Sequence, residues 1–219
     1  MISLNGPRAD PSLISSAIVA DRRVTVVAHA EPGPAHARNS ALTHVRAPRV
    51  AFADDDDRLP PMSLAVRNEH AVTTGLSWVA GRSADWVPES QELTTWMCPT
   101  PVGRHAAGDV GPYWPDAQAS KPPMGHCVLL TDTRLARAVG YGGLHKGEDY
   151  AFLIGVCSRA AGELLPDVVY HRRVHRGQWT AREDYRDQAE FDARTHAWLK
   201  GRAERELSDR LLPQAAAAA

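Results

Sequence analysis

Four consecutive aspartates, Asp54-Asp55-Asp56-Asp57, follow directly on the apolar run Val50-Ala51-Phe52-Ala53. Adjacent carboxylates repel, so near a low-dielectric wall they must be protonated, paired with cations or bound to metal. Alternate residues on an extended segment point the same way, which lets Asp54 and Asp56 converge on one ion. Oxygen ligands suit a hard cation, Mg²⁺ or Mn²⁺, and a diphosphate can complete its shell. A bare acidic run is more often a solvated turn. Here its place at the carboxyl end of a strand, where α/β sheets put ligands, favours a site.

A second group lies in Gly140-Tyr141-Gly142-Gly143-Leu144-His145-Lys146-Gly147-Glu148-Asp149-Tyr150. Glycines let backbone approach a ligand closely. The loop ends in two carboxylates at a helix start, where the dipole favours their ionised form. An ionised carboxylate in a cleft is what deprotonation of a hydroxyl needs. A loop with an acidic N-cap fits the same residues about as well. The third group is Val169-Tyr170-His171-Arg172-Arg173-Val174-His175-Arg176. His171 and His175 are candidate ligands and the arginines candidate phosphate clamps. By itself such a stretch is more often solvated surface.

The elements that must position these groups alternate along the chain. Residues 11–21 predict a short helix with Leu13, Ile14, Ala17 and Ile18 on one face. Val24–Ala28 predicts a β-branched strand, broken by the turn Glu31-Pro32-Gly33-Pro34. A helix over 35–45, a strand over 50–53 and a helix from Leu59-Pro60-Pro61 follow. Further on come a strand over 78–80, a long loop over 99–123, a helix over 131–139 with a Thr N-cap, and a helix over 149–161 closed by Gly162. A strand over 167–171 precedes a capping box at Thr180–Glu183, with helix to about 207. Strand and helix in alternation predict an α/β sheet covered by helices.

The 219 residues fit one such domain, and 43% hydrophobic with 23% charged residues is a globular composition. A net charge of −1 provides no general field for nucleic acid. Cys98, Cys127 and Cys157 form no CxxC pair, and their odd number fits a reduced compartment. Each reads as a small buried hydrophobe. No apolar run approaches the roughly 20 residues of a membrane span, nor does the start read as a signal peptide, so a cytoplasmic protein is expected. Trp96, Tyr113 and Trp114, in or near the long loop, are candidates to stack on a sugar or to be core.

Taken in order, the motifs resemble family-2 glycosyltransferases. Ala37-Arg38-Asn39-Ser40-Ala41-Leu42 and Val50-Ala51-Phe52-Ala53-Asp54-Asp55-Asp56-Asp57-Arg58-Leu59-Pro60 are similar to that family's ARN and acidic passages. Gly147-Glu148-Asp149-Tyr150 is similar to its GED segment, and Tyr170-His171-Arg172-Arg173-Val174-His175 to its late segment, over about residues 24–178. The resemblance implies an α/β fold of the GT-A type, a three-layer sandwich with a mixed central sheet and a C-terminal helix. It implies a domain over 1–178, a helical extension over 179–213 and a disordered tail over 214–219. It also implies a nucleotide-diphosphate sugar donor, a UDP-sugar first, with Mn²⁺ or Mg²⁺ and inversion by direct displacement.

Carried over by residue, the resemblance puts Asp54 on nucleotide and metal, Asp56 on metal, and Asp57 in support of sugar or metal. Asp149 becomes the base, Glu148 an acceptor-binding neighbour and His175 the late metal ligand. Arg38, Asn39, Gly142, Gly143 and Arg173 fall on the donor. The acceptor is a small molecule or glycan, and a homodimer is an expected assembly. One departure concerns the start: only Met1-Ile2-Ser3-Leu4 precedes Asn5-Gly6-Pro7, and the next strand runs into His29-Ala30-Glu31. The nucleotide-base pocket is therefore expected to be abbreviated or rebuilt. Two other readings are a non-catalytic sugar-nucleotide-binding protein of the same fold and a metal-dependent nucleotidyl- or phosphotransferase. The Gly-Glu-Asp helix argues against the last, whose chemistry has no special need of a base there.

Overall fold

Strand pairing separates a small unit at the N-terminus from a six-stranded sheet. A computed structural model of the chain describes residues 1–7, 9–95, 100–108, 124–142, 147–178 and 201. β1 (Ile2–Asn5) and β2 (Val26–His29) form a two-stranded parallel sheet. The helix after β2, Pro34–His44, packs on β1 and is tied to it by side chains. The Ser3 hydroxyl donates to the Ala37 carbonyl at 2.8 Å and the Asn5 amide to the Gly33 carbonyl at 2.6 Å. The expected helix over 11–21 does not form as one. It is a 3₁₀ turn at Pro11–Leu13 and a single helical turn, α1 (Ser16–Val19). Leu13 is 80% exposed and Ile18 46%, so the apolar face has no core to bury it, and short helices without packing are marginal.

The main sheet contains β3 (Arg49–Ala51), β4 (Trp78–Val87), β5 (Glu92–Thr95), β6 (Gly103–His105), β7 (Leu129–Asp132) and β8 (Gly162–Arg173). Its order is β3-β7-β4-β8-β6, with β5 pairing β4. β4 and β8 run parallel and the other pairs antiparallel, so the sheet is mixed, as expected. Side chains alternate across it. Trp78, Ala80 and Leu164 face one core, shared with α2 (Pro34–His44), α4 (Thr133–Val139) and α5 (Glu148–Arg159). Val79 and Leu165 face a second, smaller core under α3 (Ser63–Thr74). Helices therefore cover both faces, giving three layers.

Several boundaries differ from the sequence expectation, each for a packing reason. β4 runs through Arg82, Ser83 and Asp85, polar residues that hide a strand, because this stretch pairs with β8 and, from Ala84 on, with β5. Thr131 belongs to β7, so α4 starts at Thr133 after Asp132 rather than after a Thr cap. Gly162 does not close α5, which ends at Arg159; it opens β8 opposite Trp78. A Cβ there would lie 1.9 Å from the Trp78 ring, so only glycine fits. Within the expected long loop, residues 103–105 form β6 against β8. The expected C-terminal helix, the tail, Cys98, Trp96, Tyr113, Trp114 and Gly143 lie outside the described residues.

Candidate active site

The carboxyl ends of β3, β4 and β8 lie on one side of the sheet, and the acidic run folds over them. Asp54–Asp57 is a turn, closed by the Asp57 amide donating to the Asp54 carbonyl at 3.3 Å. The expectation that Asp54 and Asp56 point together from an extended segment is therefore corrected. In the turn they diverge, Asp54 toward Arg38 and Cys127, Asp56 toward His175.

β8 and the residues after it hold this turn. The Tyr170 hydroxyl donates to Asp57 Oδ2 at 2.7 Å and receives the Asp54 amide at 3.1 Å. The Arg173 amide donates to Asp57 Oδ1 at 2.7 Å. Arg58 and His171 exchange backbone hydrogen bonds of 3.0 and 2.9 Å, and the Arg58 guanidinium stacks 3.4 Å over the Trp86 ring. Asp57 thus gives both oxygens to the fold. Burial raises its carboxyl above the ordinary value, against the lowering effect of the Tyr170 and Arg173 bonds, and Asp56 and Asp54 add to the rise.

Glu148 and Asp149 open α5 just after Gly147, whose φ of 81° suits glycine. Arg38 on α2 links them to the turn, donating to Glu148 Oε1 at 2.8 Å and to Asp54 Oδ1 at 2.9 Å. Its guanidinium also lies 5.2 Å from the centre of the Tyr141 ring. Burial raises the Glu148 carboxyl, the Asp149 charge raises it further, and Arg38 opposes both. Burial pushes Asp149 up as well, but the His126 imidazole 3.8 Å away, the Tyr150 amide and Arg38 outweigh it and hold Asp149 below the ordinary value. The two neighbours are driven apart, one toward the acid and one toward the base.

The remaining candidates fall as follows. His175 Nε2 lies 2.9 Å from Asp56 Oδ2. Asn39 gives both amide atoms to the Tyr141 backbone, at 2.9 and 2.8 Å, and so fixes the start of the glycine-rich loop at Gly142. Arg173 Nε is buried with no hydrogen-bond partner among the described residues. His171 faces Arg58, and burial with that charge lowers its pKa.

Sequence reasoning missed His126, Cys127, Tyr170 as a bridge, and Arg67. Arg67 is fully buried in α3, where it donates to the Ser63 carbonyl at 3.0 Å, the Ser63 hydroxyl at 2.7 Å and the Val128 carbonyl at 2.8 Å. It anchors the 3₁₀ turn His126–Val128 that carries the first two residues. No local pattern distinguishes it from a solvated helix arginine.

The model for glycosyl transferase family 2 matches residues 7–105, a stretch that contains Arg38, Asn39 and the acidic turn. That stretch is similar to glycosyl transferase family 2. Crystal structures of Staphylococcus aureus TarS have the same mixed α/β fold. The TarS 1-349 complex with UDP-GlcNAc superposes with a TM-score of 0.60 at 16% identity, covering 92% of this chain and 59% of that one. TarS 1-349 alone gives 0.56 at 16%, covering 75% and 48%, and its complex with UDP gives 0.56 at 15%, covering 92% and 58%. The chain thus spans about half to three fifths of the TarS 1-349 chain. No curated protein matches the sequence. The matched stretch ends before Glu148, Asp149 and His175, whose meeting with the acidic turn is a product of the fold.

Proposed function

We propose that the protein transfers a sugar from a nucleotide-diphosphate donor, a UDP-sugar, to an acceptor hydroxyl, with inversion and with a divalent cation. The observation that carries this reading is Arg38, which joins Asp54 of the acidic turn to Glu148 beside Asp149. That link brings the donor-side and acceptor-side carboxylates into one site. The UDP and UDP-GlcNAc complexes of the TarS structures support the choice of donor.

Asp56 and His175 would hold the cation, and the pair fits the task. Their oxygen and nitrogen are 2.9 Å apart. Mn²⁺ or Mg²⁺ there would neutralise charge on the leaving diphosphate. Asp54 and Arg173 face the nucleotide, and Asp57 fastens the turn that presents both. Asp149, ionised, takes the acceptor proton as the acceptor oxygen bonds to the anomeric carbon. The bond from that carbon to the diphosphate oxygen breaks with its electron pair, and the nucleoside diphosphate leaves. Glu148, held by Arg38, keeps the start of α5 in place beside the acceptor.

Cys127 and Cys157 are buried and joined in no disulfide, which fits a reducing cytoplasm. Among the described residues no helix is long and apolar enough to cross a membrane.

The test is nucleoside-diphosphate release from a panel of nucleotide sugars, with Mn²⁺, with Mg²⁺ and with excess chelator. Slow metal-dependent release from a UDP-sugar, faster with an acceptor, is the expected result. Tight donor binding with no release would favour the non-catalytic sugar-nucleotide-binding reading.

A further inference from the structure

One cluster beside the cleft joins Asp54 to two residues, His126 and Cys127, that the transfer reaction does not use. His126 and Cys127 are 5% and 6% exposed, on the 3₁₀ turn before β7. The His126 ring is packed edge-on against Tyr141, with centroids 5.9 Å apart, and beside Phe52 at 6.3 Å. Its Nε2 is 3.2 Å from Cys127 Sγ, which lies 3.8 Å from Asp54 Oδ2. One ligand atom from each of the three residues falls within 4.8 Å of the others.

These spacings can be compared with a metal site. Zinc bonds of about 2.3 Å to sulfur and about 2.0–2.2 Å to nitrogen or oxygen, at tetrahedral angles, put sulfur about 3.6 Å from either partner. The observed separations of 3.2 and 3.8 Å bracket that value. Arg38 takes Asp54 Oδ1 and leaves Oδ2 turned to the thiol. Behind the histidine, Asp149 Oδ2 stands 3.8 Å from Nδ1. A carboxylate in that place is the usual outer partner of a metal-bound imidazole. The Asp54 side chain is 43% exposed, so the fourth position opens to the cleft.

We propose that Asp54, His126 and Cys127 form a second metal site, distinct from the Asp56–His175 pair and selective for a soft divalent cation of the zinc type. Sulfur, nitrogen and oxygen together favour such an ion over Mg²⁺ or Mn²⁺, which prefer oxygen. As the ion binds, the thiol proton and any imidazole proton leave to solvent. The ion would draw Asp54 from the nucleotide and Asp149 toward His126, and so suppress transfer. That last consequence rests on the glycosyltransferase reading; binding does not.

Cobalt(II), a spectroscopic substitute for zinc, provides the test on the full chain. The expected result is one cobalt ion per chain that carries a thiolate-to-cobalt charge-transfer band, displaced by Zn²⁺. The band should vanish in Cys127→Ser and persist in Cys157→Ser. Asp149→Asn should weaken Zn²⁺ binding by about 10–100-fold. No band in the unaltered protein, or a band that survives Cys127→Ser, overturns the site. Should Cys127→Ser fail to fold, alkylation of the unaltered protein decides: Zn²⁺ must slow modification of Cys127, located by peptide mass spectrometry, and equal rates overturn the site. A protein that binds cobalt at Cys127 yet releases no nucleoside diphosphate keeps this site and loses the transferase reading.

Discussion

His175 Nε2 lies 2.9 Å from Asp56 Oδ2 across 119 residues of chain. β8 sets that distance. Tyr170 and Arg173 fasten the acidic turn to its carboxyl end, and His175 follows two residues after Arg173. A cation worth several kcal/mol of charge stabilisation corresponds to two or more orders of magnitude in rate, at about 1.4 kcal/mol per decade. Asp56→Ala and His175→Ala should therefore each lower transfer by about 100-fold or more. Unfolding midpoints should hardly move, since both side chains are partly exposed. Undiminished transfer by Asp56→Ala, or full activity in excess chelator, would remove the metal from the mechanism.

Asp149→Asn keeps the shape at the start of α5 and removes the basicity. Transfer should fall by about 10²–10⁴-fold while donor affinity, measured by calorimetry, stays the same. Because His126 and Arg38 hold the Asp149 carboxyl below the ordinary value, the acid limb of kcat/KM should also lie below the usual carboxylate range. Near-normal transfer by Asp149→Asn with an inactive Glu148→Gln would exchange the two roles.

Arg38→Ala removes the cationic partner of the buried Glu148 carboxylate. The Arg38 and Glu148 side chains are 14% and 11% exposed, so the loss leaves a charge without compensation. Breaking such a pair from one side costs about 3–5 kcal/mol. Asp54, at 43% exposure, is solvated and adds little. Urea unfolding should show a loss of about 3 kcal/mol, partly restored when Glu148→Gln is added. A double variant no more stable than Arg38→Ala would show that packing, not charge, sets the cost.

His126 provides a pH signature. Burial alone would strip its proton, but Cys127 and Asp149 outweigh that effect and hold the imidazole up to about 10. A raised histidine stabilises the fold fully below the unfolded value of about 6.5, and the contribution is lost as pH rises through about 10. The urea midpoint of the unaltered protein should fall across this window, and that of His126→Gln should fall less. Parallel curves would place the charge elsewhere.

Gly162→Ala tests the packing of the central strands. The new Cβ would stand 1.9 Å from the fully buried Trp78 ring, so β8 must move from β4. Overpacking of this kind costs about 1–3 kcal/mol, occasionally more. A thermal midpoint unchanged from the parent would mean that the ring gives way freely.

The sequence by itself determined the parts whose physics is local. The β-branched run Val24–Ala28 and the apolar Val50–Ala53 announce strands, and the helix over 35–45 appears as α2 at Pro34–His44. The order of the motifs announced the likeness to the family whose model matches residues 7–105, and the mixed sheet. What only the tertiary structure decided is non-local. A buried arginine such as Arg67 has the letter of a surface one, and its role depends on the Val128 carbonyl arriving on another element. Polar residues of β4 make a strand because β8 and β5 pair with it there, and the residues of 11–21, amphipathic on paper, find no surface to bury. Asp54 and Asp56 were expected to converge, but an acidic run docked on β8 folds as a turn, and a turn sends neighbouring carboxylates to different partners. His126 and Cys127 carried no motif at all. Their meeting with Asp54 and Asp149 follows from a sheet that joins residues 54, 127 and 149, and contacts across such spans leave no period in the sequence.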